Sequence, residues 1–399
     1  MRIALLPDEY LPSGTRVHAK MFHELALELQ KIGHDVVVIT PGGPNQSLLL
    51  IEDSFEGIDV WRFRNGQTRG VGKVKRAINE SFLSINAWRA IKKNVKSHPF
   101  DFCINYSPTI FFGPLTKKLK AHGACVYLIL RDMFPQWIID QGIITETSII
   151  ARYFKYFERI NYKTADCIGV MSEANRELFH RLHPGYANVN VLMNWADTQP
   201  LDRDSVSTNW RNAWELGDKV IFFYGGNIGH AQDMTNLMRL ARAMKSEFNA
   251  HFLFVGQGDE VELIHRLKDD WQLSNVTIKP SVSQASYREL LTQVDVGLIS
   301  LSARHTAHNF PGKLLGYMNE SLPILGSVNE GNDVIDLVND NNAGLIFVNG
   351  NDEALQQAAK ALLASAELRM GMGAKSRHLL EKYFSVEFAV KQIFHQSKL

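Results

Sequence analysis

The chain has 399 residues, of which 45% are hydrophobic and 21% charged, and its formal net charge is +1. This length predicts two domains that can each bury a core, and the small net charge argues against a dedicated nucleic-acid-binding protein. Residues 1–200 carry 24 Lys and Arg against 19 Asp and Glu, whereas the remainder carries 19 against 23. We therefore expect the first half to face an anionic partner.

The cysteines and the apolar runs bear on the cellular compartment. Cys103, Cys125 and Cys167 are odd in number and far apart in strand-like runs, a pattern typical of buried, reduced thiols in a cytoplasmic protein. The first apolar run is too short for a signal peptide, and no run is long enough to span a bilayer. The sequence thus predicts a cytoplasmic protein that is soluble or lies on a membrane surface.

The first half of the chain alternates aliphatic runs with stretches of helical spacing. A helix is predicted over 15–33, between strands at 2–6 and 34–40. Further strands are predicted at 58–63, 100–107, 124–130, 167–172 and 189–194. Unbroken β-branched runs of this kind are typical of parallel sheets that are buried on both faces.

A second alternating series begins at residue 220. Its predicted strands are 220–226, 251–258, 276–278, 295–301, 323–327 and 343–348. The series predicts an N-terminal domain (1–196), a polar hinge (197–218), a C-terminal domain (219–384) and a final helix (385–399) that folds back to the N-terminal domain. The fold class is α/β, with two Rossmann-like, doubly wound domains that face each other across a cleft.

Glycines follow two strands of the second series. Gly225, Gly226 and Gly229 form one turn, and Gly256 and Gly258 form the other. Such turns let backbone N–H groups approach a phosphate at a helix N-terminus, but glycine also simply ends strands, and both explanations stand for either turn alone. Neither turn fits G-x-G-x-x-G, which disfavours a nicotinamide dehydrogenase.

Lys313 follows Phe310-Pro311-Gly312 and opens a predicted helix over 313–320. A cation at a helix N-terminus is electrostatically misplaced unless an anion is also there. An exposed loop lysine is the simpler explanation for this residue alone. Together with the two glycine turns, however, Lys313 favours a diphosphate-containing ligand.

Polar residues also end strands of the first half. Arg131 and Asp132 directly follow a buried strand, and Asn194 and Asp197 follow another. A strand-end ion pair is one explanation. Their position at the carboxyl edge of a parallel sheet favours a functional role.

Residues 73–96 combine an apolar stripe with many basic side chains. The basic residues are Lys73, Lys75, Arg76, Arg89, Lys92, Lys93 and Lys96, and Trp88 lies in the stripe. The stretch is either a core helix with a solvated face or a helix that contacts anionic lipid headgroups.

No metal site is predicted. The 14 histidines and the isolated cysteines lack zinc-site spacing. Asp202 and Asp204 match a D-x-D spacing, but they lie in the polar hinge with no strand before them, so we regard the match as accidental.

The motifs of both halves resemble a known family. The segments "GGNIGHAQDMTNLMRLA", "FLFVGQGDE", "DVGLISL" and "FPGKLLGYMNESLPIL" resemble the retaining GT-B glycosyltransferases of family 4. The segments "RVHAKMFHELALEL", "VWRFRNG", "KRAINESFLS" and "LILRDMFPQWIIDQG" are similar to WbuB-like fucosamine transferases of bacterial O-antigen synthesis. The resemblance spans nearly the whole chain.

The resemblance implies an activity and its partners. It implies transfer of an N-acetylated 6-deoxyhexosamine, N-acetyl-L-fucosamine, from a UDP-sugar to a lipid-linked saccharide acceptor. It further implies that the protein needs no cofactor or metal and lies peripherally on the anionic cytoplasmic face of the inner membrane. Lys73, Lys75, Arg76, Trp88, Lys92 and Lys93 would then form the acceptor or membrane side.

The resemblance also implies roles for single residues. Arg131, Asp132 and Lys313 would act in catalysis, with Lys313 clamping the donor diphosphate. The donor contacts would come from Gly14, Gly226, Asn227, Gly229, Gly256, Gly258, Ser281, Val282 and Lys313. No acid stands at an obvious nucleophile position, so no covalent intermediate is predicted.

The chain departs from the family at two places. Many members have Arg and Lys where this chain has Asn227 and Gln232, and a Glu-x7-Glu pair where it has His308 and Gly316. Glu320 is a possible substitute for the missing ribose ligand. A UDP-N-acetylhexosamine epimerase of the same fold and a non-catalytic sugar-binding protein with two domains remain alternatives.

Overall fold

The computed structural model describes residues 1–14, 16–43, 45–68, 70–140, 142–196, 198–303 and 310–397, without the side chains of Lys73 and Ser205. The chain divides into two units. The first comprises Met1–Ala196 and Val386–Leu399, and the second comprises Asp197–Ser385. Each unit is built on one sheet.

The sheet of the first unit has the order β3-β4-β2-β1-β5-β6-β7-β8. Its strands are β1 (Arg2–Leu6), β2 (Asp35–Pro41), β3 (Leu50–Phe55), β4 (Ile58–Phe63), β5 (Phe102–Ser107), β6 (Cys125–Leu130), β7 (Cys167–Val170) and β8 (Val189–Val191). All neighbouring strands are parallel except β3, which pairs antiparallel with β4.

The sheet of the second unit is parallel throughout, in the order β11-β10-β9-β12-β13-β14. Its strands are β9 (Val220–Asn227), β10 (Ala250–Gln257), β11 (Val276–Pro280), β12 (Val296–Ser300), β13 (Ile324–Val328) and β14 (Gly344–Val348). These two sheets confirm the predicted fold class of two Rossmann-like α/β domains.

Helices connect the strands of both sheets. They are α1 (Val17–Lys31), α2 (Lys73–Ser81), α3 (Leu83–Ser97), α4 (Gly113–Lys120), α5 (Gln136–Asp140), α6 (Ile149–Thr164), α7 (Glu173–Leu182), α8 (Trp210–Ala213), α9 (Met234–Ala243), α10 (Val261–Asp270), α11 (Gln284–Leu291), α12 (Lys313–Asn319), α13 (Val334–Asp340), α14 (Asp352–Ala364), α15 (Ala366–Tyr383) and α16 (Val386–Ser397).

Helices cover both faces of the first sheet because its strands are apolar on both faces. Ile3 and Leu5 belong to a core that includes residues of α1, whereas Ala4 and Leu6 belong to another that includes residues of α3 and α4. Successive side chains of a strand point to opposite faces, so one strand supplies both cores. Helix α16 packs into the first of these cores through Ile393 and its apolar neighbours.

Three local predictions differ from the structure. The edge strand β3 was missed, because four of its six residues are polar or exposed and give no apolar run. The stretch 73–96 is two helices that meet at Phe82. Cys103 and Cys167 are buried free thiols as predicted, but Cys125 is only half-buried.

The segment predicted as a hinge belongs to the second unit over its described part, 198–218. Arg211 forms an ion pair with Asp295 at 2.7 Å and donates to the carbonyl of Gln293 at 2.8 Å. The hydroxyl of Ser207 donates to the carboxylate of Glu289 at 2.9 Å. These polar side chains, which made the segment look like a linker, instead attach it to the second sheet and its helices.

Candidate functional site

The two glycine turns of the second unit lie side by side at the carboxyl ends of β9 and β10. Gly256 pairs with Gly226 in the strand register. A Cβ at Gly256 would lie 1.9 Å from the carbonyl oxygen of Gly226, and one at Gly258 would lie 2.1 Å from that of Ile228. Packing of the two turns therefore explains both glycines, and their predicted donor contacts remain a prediction.

We expect Gly256→Ala to destabilise the second unit by more than about 1 kcal/mol, since a methyl group cannot enter this backbone contact without displacing the turn. Gly371→Ala is the matched control, because that glycine lies within α15 with open space around its Cβ position. Alanine there should be neutral or stabilising by up to about 1 kcal/mol. Calorimetric melting of the two variants measures the difference, and equal melting temperatures would contradict the expectation.

Lys313 begins α12 and reaches the first glycine turn. Its Nζ lies 3.4 Å from the centroid of the Tyr224 ring, and a Cβ at Gly226 would lie 3.9 Å from the same atom. The ring face attracts the ammonium. Within the described parts of the chain, no carboxylate pairs with Lys313.

Burial lowers the pKa of Lys313 well below that of an ordinary lysine. The ammonium loses water around it and gains no counter-ion among the described residues, so its charged form is disfavoured. An anion beside Nζ would reverse this effect. The arrangement is thus suited to a ligand that supplies negative charge next to Gly226.

The neutral residues that replace the family's Arg and Lys bind each other. The side-chain amide of Asn227 donates to Gln232 at 2.7 Å. A Cβ at Gly229 would lie 2.8 Å from the Asn227 amide nitrogen and 3.3 Å from the Gln232 amide oxygen. The pair adds no charge to the turn, whereas the Lys313 ammonium lies beside it at Gly226.

Sequence reasoning missed a histidine beside this turn. His230 Nδ1 lies 2.8 Å from Glu260 and its Nε2 lies 3.4 Å from Asp259. The hydrogen bond with Glu260 and the charge of Asp259 raise the pKa of His230. The signal was present in the sequence, because the two motifs "NIGH" and "GDE" follow strands that are adjacent in the sheet.

Val282 and Glu320 are two other predicted donor residues. Val282 lies just before the start of α11, and Glu320 lies just after the end of α12. Val282 follows β11, where the hydroxyl of Ser281 donates to Gln257 at 3.2 Å, beside the second glycine turn. Glu320 caps the far end of α12, about 10 Å along the helix from Lys313. Its carboxylate accepts from the backbone N–H of Leu201 at 3.2 Å. Its predicted contact with the ribose stays a prediction.

Two residues singled out from the sequence lie outside the described part of the chain. They are His308, at the position of the family's first glutamate, and Asp197, predicted at a strand end with Asn194. Gly316, at the position of the family's second glutamate, lies in α12, where a Cβ would sit 3.1 Å from Leu291. The ribose contact therefore has no candidate from this motif.

In the first unit, Arg131 and Asp132 follow β6. One guanidinium nitrogen, Nη2, donates to the carbonyl of Met193 at 3.3 Å. Nε and Nη1 are buried and lack a hydrogen-bond partner in the described structure. Burial lowers the pKa of Arg131 to about 10, against the opposing effect of Tyr106, Tyr127 and Asp132.

Asp132 keeps an exposed surface, but burial of its carboxyl raises its pKa and the charge of Arg131 opposes the rise. A buried guanidinium with two unused donors is costly unless a ligand accepts from it. The pair is therefore suited to hold an anionic or strongly polar group.

A buried acid–base pair, also missed from sequence, lies at the same sheet edge. Asp8 follows β1, and its carboxylate lies 3.0 Å from Nε2 of His18 in the first turn of α1. The His18 ring lies 5.0 Å from that of Tyr106. The rule that selected Arg131, a polar residue after a buried strand, would also have selected Asp8.

Gly14 lies in the loop between β1 and α1. Its N–H donates to the carbonyl of Tyr10 at 2.9 Å, and a Cβ would lie 2.9 Å from Glu9 and 3.0 Å from Ala19. Glycine is therefore required for this tight loop. Its predicted approach to the donor stays a prediction.

The residues predicted for the membrane side divide into two groups. Lys75, Arg76, Lys92 and Lys93 are exposed, whereas Trp88 is half-buried beneath Lys118, whose Nζ lies 5.1 Å from its ring. The side chain of Lys73 lies outside the described structure. Among the described residues, no helix is long and apolar enough to cross a membrane, and no cluster of three potential metal ligands occurs.

Comparison with known proteins decides the class of this site. A model described as "Glycosyl transferase 4-like domain" matches residues 18–195, and one described as "Glycosyl transferases group 1" matches residues 206–379. Each match falls within one unit, and the two together cover most of the chain. The chain is a GT-B glycosyltransferase. Its Gly225–Gly229 turn and Lys313 lie within the group 1 match, and Arg131 lies within the other.

Curated relatives agree with this assignment. The glycosyltransferase is 25% identical over 316 residues to WcaI of Escherichia coli, named as a colanic acid biosynthesis glycosyl transferase, covering 75% of this chain and 76% of WcaI. It is 25% identical over 202 residues to the glycosyltransferase WbjE of Pseudomonas aeruginosa, covering 49% of each chain.

Solved structures share the fold of the glycosyltransferase. HepE of Anabaena, in complex with UDP, has a TM-score of 0.70 at 14% identity and full coverage of both chains. Sucrose-phosphate synthase of Thermosynechococcus elongatus has a TM-score of 0.68 at 17% identity, covering 99% of this chain and 98% of its own. WaaG, involved in lipopolysaccharide biosynthesis, has a TM-score of 0.61 at 16% identity, covering 98% and 99%.

Proposed function

We propose that the enzyme transfers a sugar from a UDP-sugar to a lipid-linked saccharide in the synthesis of a surface polysaccharide. The observation that carries this proposal is the half-buried ammonium of Lys313, which lies beside the first glycine turn without a carboxylate partner in the described structure. A diphosphate supplies the negative partner that this ammonium lacks. The UDP complex of HepE and the polysaccharide role named for WcaI support the same assignment.

The proposed mechanism retains the configuration of the transferred sugar. The bond from the anomeric carbon to the UDP oxygen breaks, and the acceptor oxygen bonds to the same face while its proton passes to the departing diphosphate. Lys313 and the backbone N–H groups of the glycine turn stabilise the negative charge that grows on UDP. Arg131 and Asp132 hold the reacting sugar or its acceptor by hydrogen bonds.

For the transferred sugar we propose an N-acetylated 6-deoxyhexosamine, N-acetyl-L-fucosamine. The support is the resemblance of four segments of the first unit, among them "LILRDMFPQWIIDQG", to fucosamine transferases. A panel of UDP-sugars tests this by UDP release in the presence of a lipid-linked acceptor. The proposal requires the highest kcat/KM for the 6-deoxy N-acetyl sugar, and a preference for UDP-glucose would overturn that choice.

The same panel without acceptor tests the epimerase alternative. Asp8 and His18 supply acid–base groups of the kind an epimerase needs, so this alternative has a physical basis. A transferase leaves the donor sugar unchanged apart from slow hydrolysis. Conversion of UDP-N-acetylhexosamine into its C2 epimer would contradict the proposed function.

We also propose that α2, the start of α3 and the start of α6 lie on an anionic membrane. Exposed apolar side chains concentrate there, with Val74 76% and Ile149 81% exposed. Helices α2 and α6 meet where the hydroxyl of Tyr153 donates to Ser81 at 2.7 Å. This set, called the apolar surface below, comprises Val74, Ile78, Phe82, Ile85, Ile149, Ile150, Tyr153 and Tyr156.

The predicted apolar stripe of 73–96 is buried over its second part and exposed over its first part. Ile91 and Val95 are buried in the core, while Val74, Ile78 and Ile85 are exposed. Exposed lysines and arginines border the exposed part, which is the pattern of a helix lying in the headgroup region of anionic lipid.

We expect Ile78→Asp combined with Ile149→Asp to weaken binding to phosphatidylglycerol vesicles by about tenfold or more, because each change removes apolar contact and adds repulsion from anionic lipid. Phe248→Asp in the second unit is the control, since Phe248 is 89% exposed and outside the apolar surface. Vesicle sedimentation measures binding. Unchanged sedimentation of the double variant would rule out the apolar surface as the docking site.

A further inference from the structure

A cavity of about 200 Å³ opens between the chain that follows β4 and the first turns of α3. It has no role in the donor site described above. Its walls are formed by Leu49, Arg64, Asn65, Gly66, Asn86 and Arg89. Two of these six residues carry positive charge, and none carries negative charge.

The neutral wall of the cavity is held in place by its own hydrogen bonds. Asn65 is only 3% exposed, and its side-chain amide donates to the carbonyl of Gly66 at 2.9 Å. The amide of Asn86 donates to the side-chain oxygen of Asn65, also at 2.9 Å. This wall is therefore preformed, which lowers the entropic cost of binding a ligand.

The positive charge of the cavity comes from its two arginines. In the described parts of the chain, neither Arg64 nor Arg89 forms an ion pair with a carboxylate, and Arg64 uses one nitrogen on the carbonyl of Ser47 at 3.2 Å. Both arginines are exposed and line one cavity, so they concentrate positive charge there. Phosphate oxygens would neutralise this charge and accept charge-assisted hydrogen bonds from both side chains.

Exposed apolar side chains line the cavity or neighbour its lining residues in the chain. Leu48 and Leu49 are 61% and 47% exposed, and Ile85, one turn before Arg89 on α3, is 52% exposed. The spacing of Ile85 and Arg89 places both on one helix face. A ligand that fills the cavity therefore combines phosphate with hydrocarbon.

The cavity lies at the same edge of the first sheet as the residues proposed for catalysis. Arg64 directly follows β4, which is parallel to β1 and β6, and strand spacing places β4 about 10 Å from β1 and about 19 Å from β6. Arg62, also on β4, donates to the carbonyl of Leu11 in the Gly14 loop at 2.6 Å. A saccharide that starts at the cavity can thus extend along this edge toward Arg131.

We propose that the cavity binds the diphosphate of the lipid-linked acceptor, with the exposed leucines and Ile85 touching the start of its hydrocarbon chain. This inference rests on the proposed function, because it identifies where that acceptor is held. Two arginines match the two or more negative charges of a lipid diphosphate better than the single charge of a phospholipid phosphodiester. The saccharide then points along the sheet edge.

The test compares farnesyl diphosphate, farnesol and dihexanoylphosphatidylglycerol as probes below their micelle concentrations, with binding measured by calorimetry on the full chain. The wild-type protein should bind farnesyl diphosphate at least about tenfold more tightly than either other probe. The variant with Arg64→Gln and Arg89→Gln should lose that preference. Lys117→Gln with Lys163→Gln removes equal charge from exposed positions elsewhere in the first unit and should keep it.

UDP binding by the same proteins separates this inference from the proposed function. It should be equal in all three, which also shows that the arginine variant is folded. Failure of UDP to bind the wild type would overturn the donor site but not the cavity. Equal farnesyl diphosphate binding by the arginine variant and wild type, or equal binding of the phosphatidylglycerol probe, would overturn the cavity as a diphosphate site.

Discussion

Replacing Lys313 with Met is expected to lower kcat/KM for the UDP-sugar by about 10²–10³ while leaving the protein as stable as before or more stable. The activity falls because the growing charge on the leaving UDP loses its cationic partner. Stability does not fall, because the change removes a half-buried ammonium that has no carboxylate partner among the described residues. Replacing a lysine that has only a structural role would instead lower the stability and leave kcat/KM largely unchanged.

Steady-state kinetics with calorimetric melting measures both effects on one preparation. Lys375→Met is the matched control, since Lys375 is an exposed lysine on α15 of the same unit. It should change neither quantity. Full activity of the Lys313 variant would remove the basis of the proposed donor site.

Lys313 also makes the free energy of unfolding of the ligand-free enzyme depend on pH, and the sign of this dependence follows from its pKa. Since burial lowers the pKa of Lys313 in the folded state, the unfolded chain binds more protons between that pKa and about 10.5. The contribution of Lys313 to the free energy of unfolding therefore rises with pH across this interval, and Lys313→Met should abolish that part of the rise. Bound UDP raises the pKa again, so its binding should take up protons.

Replacing Arg131 with Met is expected to lower kcat/KM by about tenfold to a hundredfold, the value of one charged hydrogen-bonding group. Affinity for UDP should stay within about twofold of the wild type, because Arg131 belongs to the first unit. Stability should change little, since Nε and Nη1 have no partner to lose in the described structure and only the 3.3 Å bond of Nη2 to Met193 is lost.

Arg181→Met is the control for this variant, because Arg181 is an exposed arginine of α7 in the same unit. Transfer rates and UDP titrations together decide the result. A loss of UDP affinity as large as the loss of kcat/KM would place Arg131 on the nucleotide and contradict its proposed role on the sugar or acceptor.

The fold could be predicted because the buried strands stand out in the sequence as short apolar runs. Runs such as 34–40 and 220–226 are apolar on both faces, which only a parallel sheet covered by helices on both sides provides. Strand β3 escaped prediction because it lies at an edge and is largely polar. The polarity from which the hinge was predicted partly reflects hydrogen bonds within the second unit, such as that of Arg211 with Asp295.

The candidate site could be predicted where a motif lies at the end of a strand or the start of a helix. The first glycine turn and Lys313 were found in these two ways, and the structure brings them together. The pairing of Asp8 with His18 joins two elements, and no spacing in the sequence reports which side chains will face each other. Glu320 was chosen by its sequence distance from Gly316, yet the helix carries it to the opposite end from Lys313.

A crystal structure of the full chain with UDP tests the central claim most directly. The account predicts diphosphate density within hydrogen-bond distance of Lys313 Nζ and against the backbone of Gly226, with the uracil toward Ser281 and Val282. Nucleotide density away from Lys313, or full occupancy in the Lys313→Met variant at the same UDP concentration, would contradict it.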